Sequence, residues 1–202
     1  GAGEGKKAEL LPLGCEAGEI WRVQIWDDEC AAWDEGDELA EWLGDYLKVD
    51  ARLVRMADDF VRQVDMTYAP ENTPVGFADA FPLLIVSEAS LEELNRRIVE
   101  RGKTPVPMSR FRPNLVVSGA EAFAEDNWRM VQIGDVVIDV VKPCARCVTT
   151  TVDQLSGTVP DVTEPLGTLN TFRKQNGKVM FAQNAIHHAP GVLKVGDRVE
   201  MV

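Results

Sequence analysis

Apolar and polar residues alternate over residues 20–26, Ile-Trp-Arg-Val-Gln-Ile-Trp, which predicts a strand with one apolar face. Asp34-Glu35-Gly36-Asp37 then puts carboxylates into the first turn of a helix, where they suit its dipole. Leu39, Trp42, Leu43, Tyr46 and Leu47 follow at helical spacing, so an amphipathic helix of about three turns is expected, its aromatics in the core. Residues 51–56 read as a short strand and residues 58–74, with Pro70 and Pro74 and little periodicity, as a loop. The continuous apolar run at 81–86 predicts a buried strand. Ser90 and Glu93 fit a capping box, which predicts a helix with Leu91, Leu94, Ile98 and Val99 on its buried face and Gly102 as its stop.

A proline-containing loop, 103–109, leads to a strand at 115–117. Residues 128–133 and 136–141 read as two strands joined by a hairpin turn at Gly134-Asp135. The threonine run at 149–152 reads as another strand, residues 165–173 as a short helix, and 179–182 and 199–202 as closing strands, with Lys194-Val195-Gly196-Asp197 as the last turn. Many short strands and two convincing helices predict an α+β, strand-dominated fold, a barrel-like β core with peripheral helices. Residues 1–19, rich in glycine and charge, read as a tail or linker.

At 202 residues the chain is long enough to bury a core. Its net charge of -12 argues against a general nucleic-acid or anionic-membrane surface. No apolar run approaches the ~20 residues of a membrane span. Residues 1–18 lack an apolar core and carry Glu4, Glu9 and Glu16, unlike a signal peptide. Four cysteines do not suggest a disulfide scaffold, so a reducing cytoplasm is expected. The chain begins at Gly1 without methionine, which leaves both a fragment and a whole protein open.

The densest chemistry lies in Val141-Lys142-Pro143-Cys144-Ala145-Arg146-Cys147-Val148-Thr149-Thr150-Thr151-Val152-Asp153. Nearby positive charge such as Arg146 lowers a thiol pKa toward the thiolate, which is both a soft metal ligand and a nucleophile. Alone, the C-x-x-C spacing leaves several readings open. Structural zinc needs two further ligands, yet Cys15 and Cys30 form no second close pair and His187 and His188 are adjacent. A thioredoxin-like pair should open a helix, which the threonine run resists. Two buried, inert cysteines are a third reading. Asp79, just before an apolar strand, suits a turn or cap as well as a site. Arg110 and Arg112 suit either a solvated charge pair or bidentate binding of phosphate or a carbonyl-rich ring. Hydrolase, phosphate-loop and Rossmann signatures are not found.

In order and spacing these motifs resemble the MOSC domain of molybdenum-cofactor proteins, with a closer likeness to YcbX-like bacterial proteins and the mitochondrial amidoxime-reducing component. The likeness rests on Phe81-Pro82-Leu83-Leu84-Ile85-Val86-Ser87-Glu88-Ala89-Ser90-Leu91 and Phe111-Arg112-Pro113-Asn114-Leu115-Val116-Val117-Ser118-Gly119. It continues through Ala124-Glu125-Asp126-Asn127-Trp128, Ile133-Gly134-Asp135, Cys144-Ala145-Arg146-Cys147 and Thr150-Thr151-Val152-Asp153. Glu164-Pro165-Leu166, Thr168-Leu169 and Lys194-Val195-Gly196-Asp197 complete it, over roughly residues 20 to 202.

The resemblance implies a MOSC domain over 69–202, preceded at 20–68 by part of an N-terminal MOSC-associated β segment with one helix. It implies a pyranopterin molybdenum cofactor whose metal takes the thiolate of Cys147, with Cys144 a neighbour. Arg112 and Asn114 match positions beside the cofactor, Asp79 an acidic residue near the metal that holds the pterin or relays protons, and Thr150 and Thr151 hydroxyl donors around the site. The implied reaction is two-electron, two-proton reduction of small N-hydroxylated compounds such as amidoximes, hydroxylamines and N-hydroxylated bases. The sequence has no cysteine-rich extension, so electrons are expected from a separate flavoprotein reductase or ferredoxin. Pyridoxal phosphate is not required and a monomer is expected. The basic and hydroxyl cluster with which longer relatives grip the cofactor has no match in residues 1–18. Two rival functions accompany this reading: a cofactor or sulfur carrier with a persulfide on Cys147, and an assembly domain that no longer binds cofactor.

Overall fold

The computed structural model of the chain describes residues 19–202; the tail expected at residues 1–19 falls, but for its last residue, outside them. The chain divides into two compact units, one ending at Arg62 and the other running from Gln63 to Val202. No helix among the described residues is long and apolar enough to cross a membrane.

In the first unit, β1 (Ile20–Ile25), β2 (Asp28–Asp34) and β3 (Val54–Met56) form an antiparallel sheet in that order. β2 is absent from the sequence reading, because its inward positions Cys30 and Ala32 are small and lend Asp-Glu-Cys-Ala-Ala-Trp-Asp little hydrophobic alternation. The helix α1 (Asp37–Leu47) forms where expected, but none of its residues is buried. Trp42 and Tyr46, expected in the core, are 44% and 68% exposed and stack on one another with centroids 5.8 Å apart. A three-stranded sheet offers too little apolar area to cover a helical stripe as well.

The second unit is built on a seven-stranded, nearly closed, barrel-like sheet. Its strands are β4 (Leu83–Ser87), β5 (Leu115–Val117), β6 (Met130–Ile133), β7 (Val136–Ala145), β8 (Lys174–Gln175), β9 (Lys178–His187) and β10 (Val199–Met201). The order is β10-β6-β7-β9-β4-β5, with β8 folded back on β9. Only β4 and β5 run parallel; α2 (Glu88–Glu100) lies in their crossover. The third helix, α3 (Leu166–Phe172), precedes the β8–β9 hairpin. The molecule is thus α+β and strand-dominated, as its pattern predicts.

The apolar run of β4 is buried on both faces. Leu84 and Val86 join Leu94, Ile98, Phe111, Leu169 and Phe181, while Ile85 joins Val117, Val131, Ile138 and Ala185. Val99, expected on the buried face of α2, is 54% exposed. The cap also differs from expectation: Ser87, not Ser90, is the N-cap, and its hydroxyl accepts from the Ser90 backbone N–H at 3.1 Å. The Ser90 hydroxyl donates to the buried carboxylate of Glu125 at 2.6 Å, and Glu93 spends its oxygens on Arg96 and Arg97. The helix therefore starts one turn earlier than the capping-box pattern places it.

The β7–β9 pairing slips twice, between Val140 and Lys142 and between Pro143 and Ala145. Pro143 cannot donate to the ladder, and a bulge is where a central strand tolerates it. Opposite this irregularity the buried Ala182 adopts a left-handed backbone, φ 69°. Strand β7 ends at Ala145; the Arg146 backbone N–H still donates to the Val179 carbonyl of β9 at 2.8 Å, and Cys147 leaves the sheet.

Candidate functional site

The threonine run after Cys147 is not a strand. It forms a 3-10 turn, Val148–Thr151, with Cys147 at its head. The Thr150 and Thr151 hydroxyls donate to the carbonyls of Cys147 and Val148, at 2.9 and 2.8 Å. Such back-bonding offsets the extended preference of a β-branched residue. Both threonines are buried. Thr149 is exposed, and its hydroxyl lies 3.3 Å from the Cys147 sulfur.

That arrangement lowers the Cys147 pKa. The Thr149 hydroxyl is the largest cause and the Thr149 backbone N–H the next, both stabilising the thiolate; partial burial opposes them, and Arg146 adds a smaller lowering. Asp79 is near enough for its charge to push the same thiol up. Cys147 is exposed, whereas Cys144 is half-buried against the core. The two thiols so differ, and neither is fully buried. Thr149→Val keeps the side-chain shape and removes the hydroxyl. The pH midpoint of Cys147 alkylation by iodoacetamide, followed by mass spectrometry, is expected to move to higher pH. An unmoved midpoint would mean that Thr149 does not set the thiolate.

A second 3-10 turn, Met108–Phe111, carries the arginine motif. Arg110 is no solvated charge: it is 6% exposed, donates to the carbonyls of Thr150 and Thr151 at 3.3 and 2.6 Å, and pairs with Asp153 at 3.6 Å. Arg146 points the other way, donating to the Phe111 carbonyl at 2.8 Å and to the Cys144 sulfur at 3.0 Å. Sequence reasoning missed both contacts.

Arg112 is exposed and has a left-handed backbone, φ 52°, directly before Pro113. That conformation is disfavoured for a residue with a Cβ and disfavoured again before proline, and such strain gathers at functional positions. Asn114 pairs with Leu84 through both its backbone N–H and its carboxamide oxygen, at 3.0 and 2.8 Å, which leaves its NH2 group for a ligand. Asp79 is exposed in the bend that precedes β4. The fold thus joins the thiol turn to the segment leading into Arg112, and sets Asp79 within electrostatic reach of Cys147. No cluster of three or more histidines, cysteines, aspartates or glutamates able to hold a metal occurs among the described residues, so a closed zinc site finds no support there.

Comparison with known proteins gives the relationship. Residues 72–200 match the MOSC domain. The chain is 38% identical over 182 residues to mitochondrial amidoxime-reducing component 1 of Mus musculus, covering 84% of this chain and 52% of the mouse protein. It is 39% identical over 180 residues to mitochondrial amidoxime reducing component 2 of Rattus norvegicus, covering 82% and 52%. With mitochondrial amidoxime-reducing component 1 of Xenopus laevis it shares 32% over 207 residues, 95% of this chain and 58% of the other. The chain spans about half the length of these curated relatives. A domain match over most of the chain, on a strand-built core that carries the thiol turn, makes this chain a member of the MOSC-domain family.

Proposed function

We propose that the chain is the cofactor-holding part of a reductase of N-hydroxylated compounds, with Cys147 as the protein's ligand to a molybdenum cofactor. The observation that carries this reading is an exposed cysteine of lowered pKa, at the head of a turn tied to the segment before Arg112, in a chain whose relatives are named amidoxime-reducing components.

The residues suit such a group. A thiolate is a soft ligand that suits molybdenum. The Nε atoms of Arg110 and Arg146 are buried hydrogen-bond donors with no protein partner, so the two loops around Cys147 keep unused donor capacity and a local positive charge that suits an anionic group nearby. When bound, the cofactor supplies a two-electron redox couple that the protein lacks. Cys147 would hold the metal; Arg112 and the Asn114 NH2 would hold the phosphate or pterin. Thr150 and Thr151 contribute by building the turn, and Thr149 favours the thiolate form of Cys147.

Reducing a hydroxylamine to an amine takes up two electrons and two protons, breaks the N–O bond and releases one water. Asp79 is a carboxylate whose charge acts on Cys147, and it is the residue assigned to hold or hand over a proton there. The electrons come from a separate flavoprotein reductase or ferredoxin.

The test is molybdenum and pterin content of the full-length protein and of this chain, each made in a host that synthesises the cofactor, followed by benzamidoxime reduction with a supplied electron donor. Near-stoichiometric metal and conversion to benzamidine support the reading; no metal in either protein overturns it. The exposure and lowered pKa of Cys147 also suit a persulfide carrier, the second reading. Cyanide-releasable sulfur on Cys147 in metal-free protein would select that alternative.

A further inference from the structure

Two segments far apart in sequence carry the proposed ligands. One is the turn Met108–Phe111, which leads into Arg112 and Asn114; the other is the loop from Arg146 through the turn Val148–Thr151. Each sends one arginine into the other. Arg110, from the first, ends on the Thr150 and Thr151 carbonyls and beside Asp153. Arg146, from the second, ends on the Phe111 carbonyl and the Cys144 sulfur.

The acceptors of this exchange are firmly held. Phe111 is fully buried, its ring 4.2 Å from that of Phe181 and below the Arg146 guanidinium at 5.6 Å. The carbonyls taken by Arg110 belong to a turn already closed by its own threonine hydroxyls. Carbonyl oxygens at turn ends have no ladder to join, and a planar guanidinium can reach two acceptors at a fixed angle, which a lysine ammonium cannot reproduce.

We propose that Arg110 and Arg146 form a reciprocal clamp that fixes the thiol turn on the segment leading into Arg112, which makes both positioning residues for the site around Cys147. Neither needs to touch the ligand. The clamp sets the separation between the thiol and the guanidinium of Arg112, and it does so by fork geometry rather than by charge. Its metal readout rests on the function proposed above; its structural readout does not.

The test compares wild type with Arg146→Lys and Arg110→Lys, which keep the charge and lose the fork, and with Asp153→Asn, which weakens one arm and leaves both arginines in place. Amide exchange at Thr150 and Val152, whose N–H groups close the turn at 3.2 Å, is read in metal-free protein. Exchange there is expected to rise about tenfold in both lysine variants and less in Asp153→Asn, with exchange in β4 and β6 unchanged. Molybdenum occupancy after expression in the cofactor-making host is expected to fall several-fold in parallel. Exchange at wild-type rates in the lysine variants would overturn the clamp, because charge alone would then suffice. If one lysine variant fails to fold, the other decides by the same exchange readout. Wild-type protein without molybdenum would sink the proposed function and leave the exchange result to judge the clamp.

Discussion

Cys147→Ala is expected to abolish molybdenum retention, whereas Cys144→Ala keeps most of it. The two thiols are three residues apart, so only their surroundings separate them. Cys147 heads a turn, is open to solvent and has its thiolate stabilised by Thr149. The Cys144 sulfur packs against the cluster of Leu84, Phe111 and Phe181 and receives one arm of Arg146. Removing Cys147 removes the proposed ligand, and serine in its place offers a harder, protonated oxygen that would not restore it. Removing Cys144 takes one acceptor from Arg146, which keeps the Phe111 carbonyl. The measurement is metal per protein in both variants, expressed side by side. Equal loss from both would overturn the assignment of Cys147.

Phe111→Ala is expected to cost about 3–5 kcal/mol of stability, the range for a fully buried aromatic truncated to alanine. Its ring is inaccessible to solvent and packed on Phe181, in a core shared by β4, α2 and α3. Trp42→Ala removes a larger ring from the surface of α1 and should change stability by only about 0.5 kcal/mol. Urea midpoints for the two variants settle the contrast. A loss below about 1 kcal/mol for Phe111→Ala would mean that the core collapses around the gap, since the cost depends on residual cavity. The same variant should also loosen the thiol turn, because the carbonyl that Arg146 holds belongs to residue 111.

Elements with strong periodicity or punctuation were legible before the fold was known. The hairpin across Gly134-Asp135, the two-faced strand β4 and the stop at Gly102 belong here, each specified by neighbours in sequence. What escaped was decided at a distance or by competition. Ser87 caps α2 because Glu125 engages Ser90 from 35 residues away. The threonine run reads as a strand by propensity and becomes a 3-10 turn because its hydroxyls bond backward to carbonyls. Of the site, Cys147, Arg112 and Asn114 could be named from motif resemblance, and Asp79, named the same way, is near enough for its charge to act on the Cys147 thiol. The carbonyls that Arg110 and Arg146 hold lie 35 to 41 residues off, with no period to announce them.

The place of β9 in the sheet has a consequence for how the molecule is made. β6 and β7 can pair as soon as both have emerged from the ribosome, but β9 must bridge β7 and β4, pairing Gln183 with Ile85 roughly one hundred residues upstream. The pairing that positions the end of β7, and with it the loop of Cys147, therefore waits for nearly the last strand of the chain. A nascent protein holds its reactive thiol before it holds the scaffold that aims it. Under the proposed function, capture of a cofactor then belongs to the finished molecule, as an event after translation rather than a template for folding.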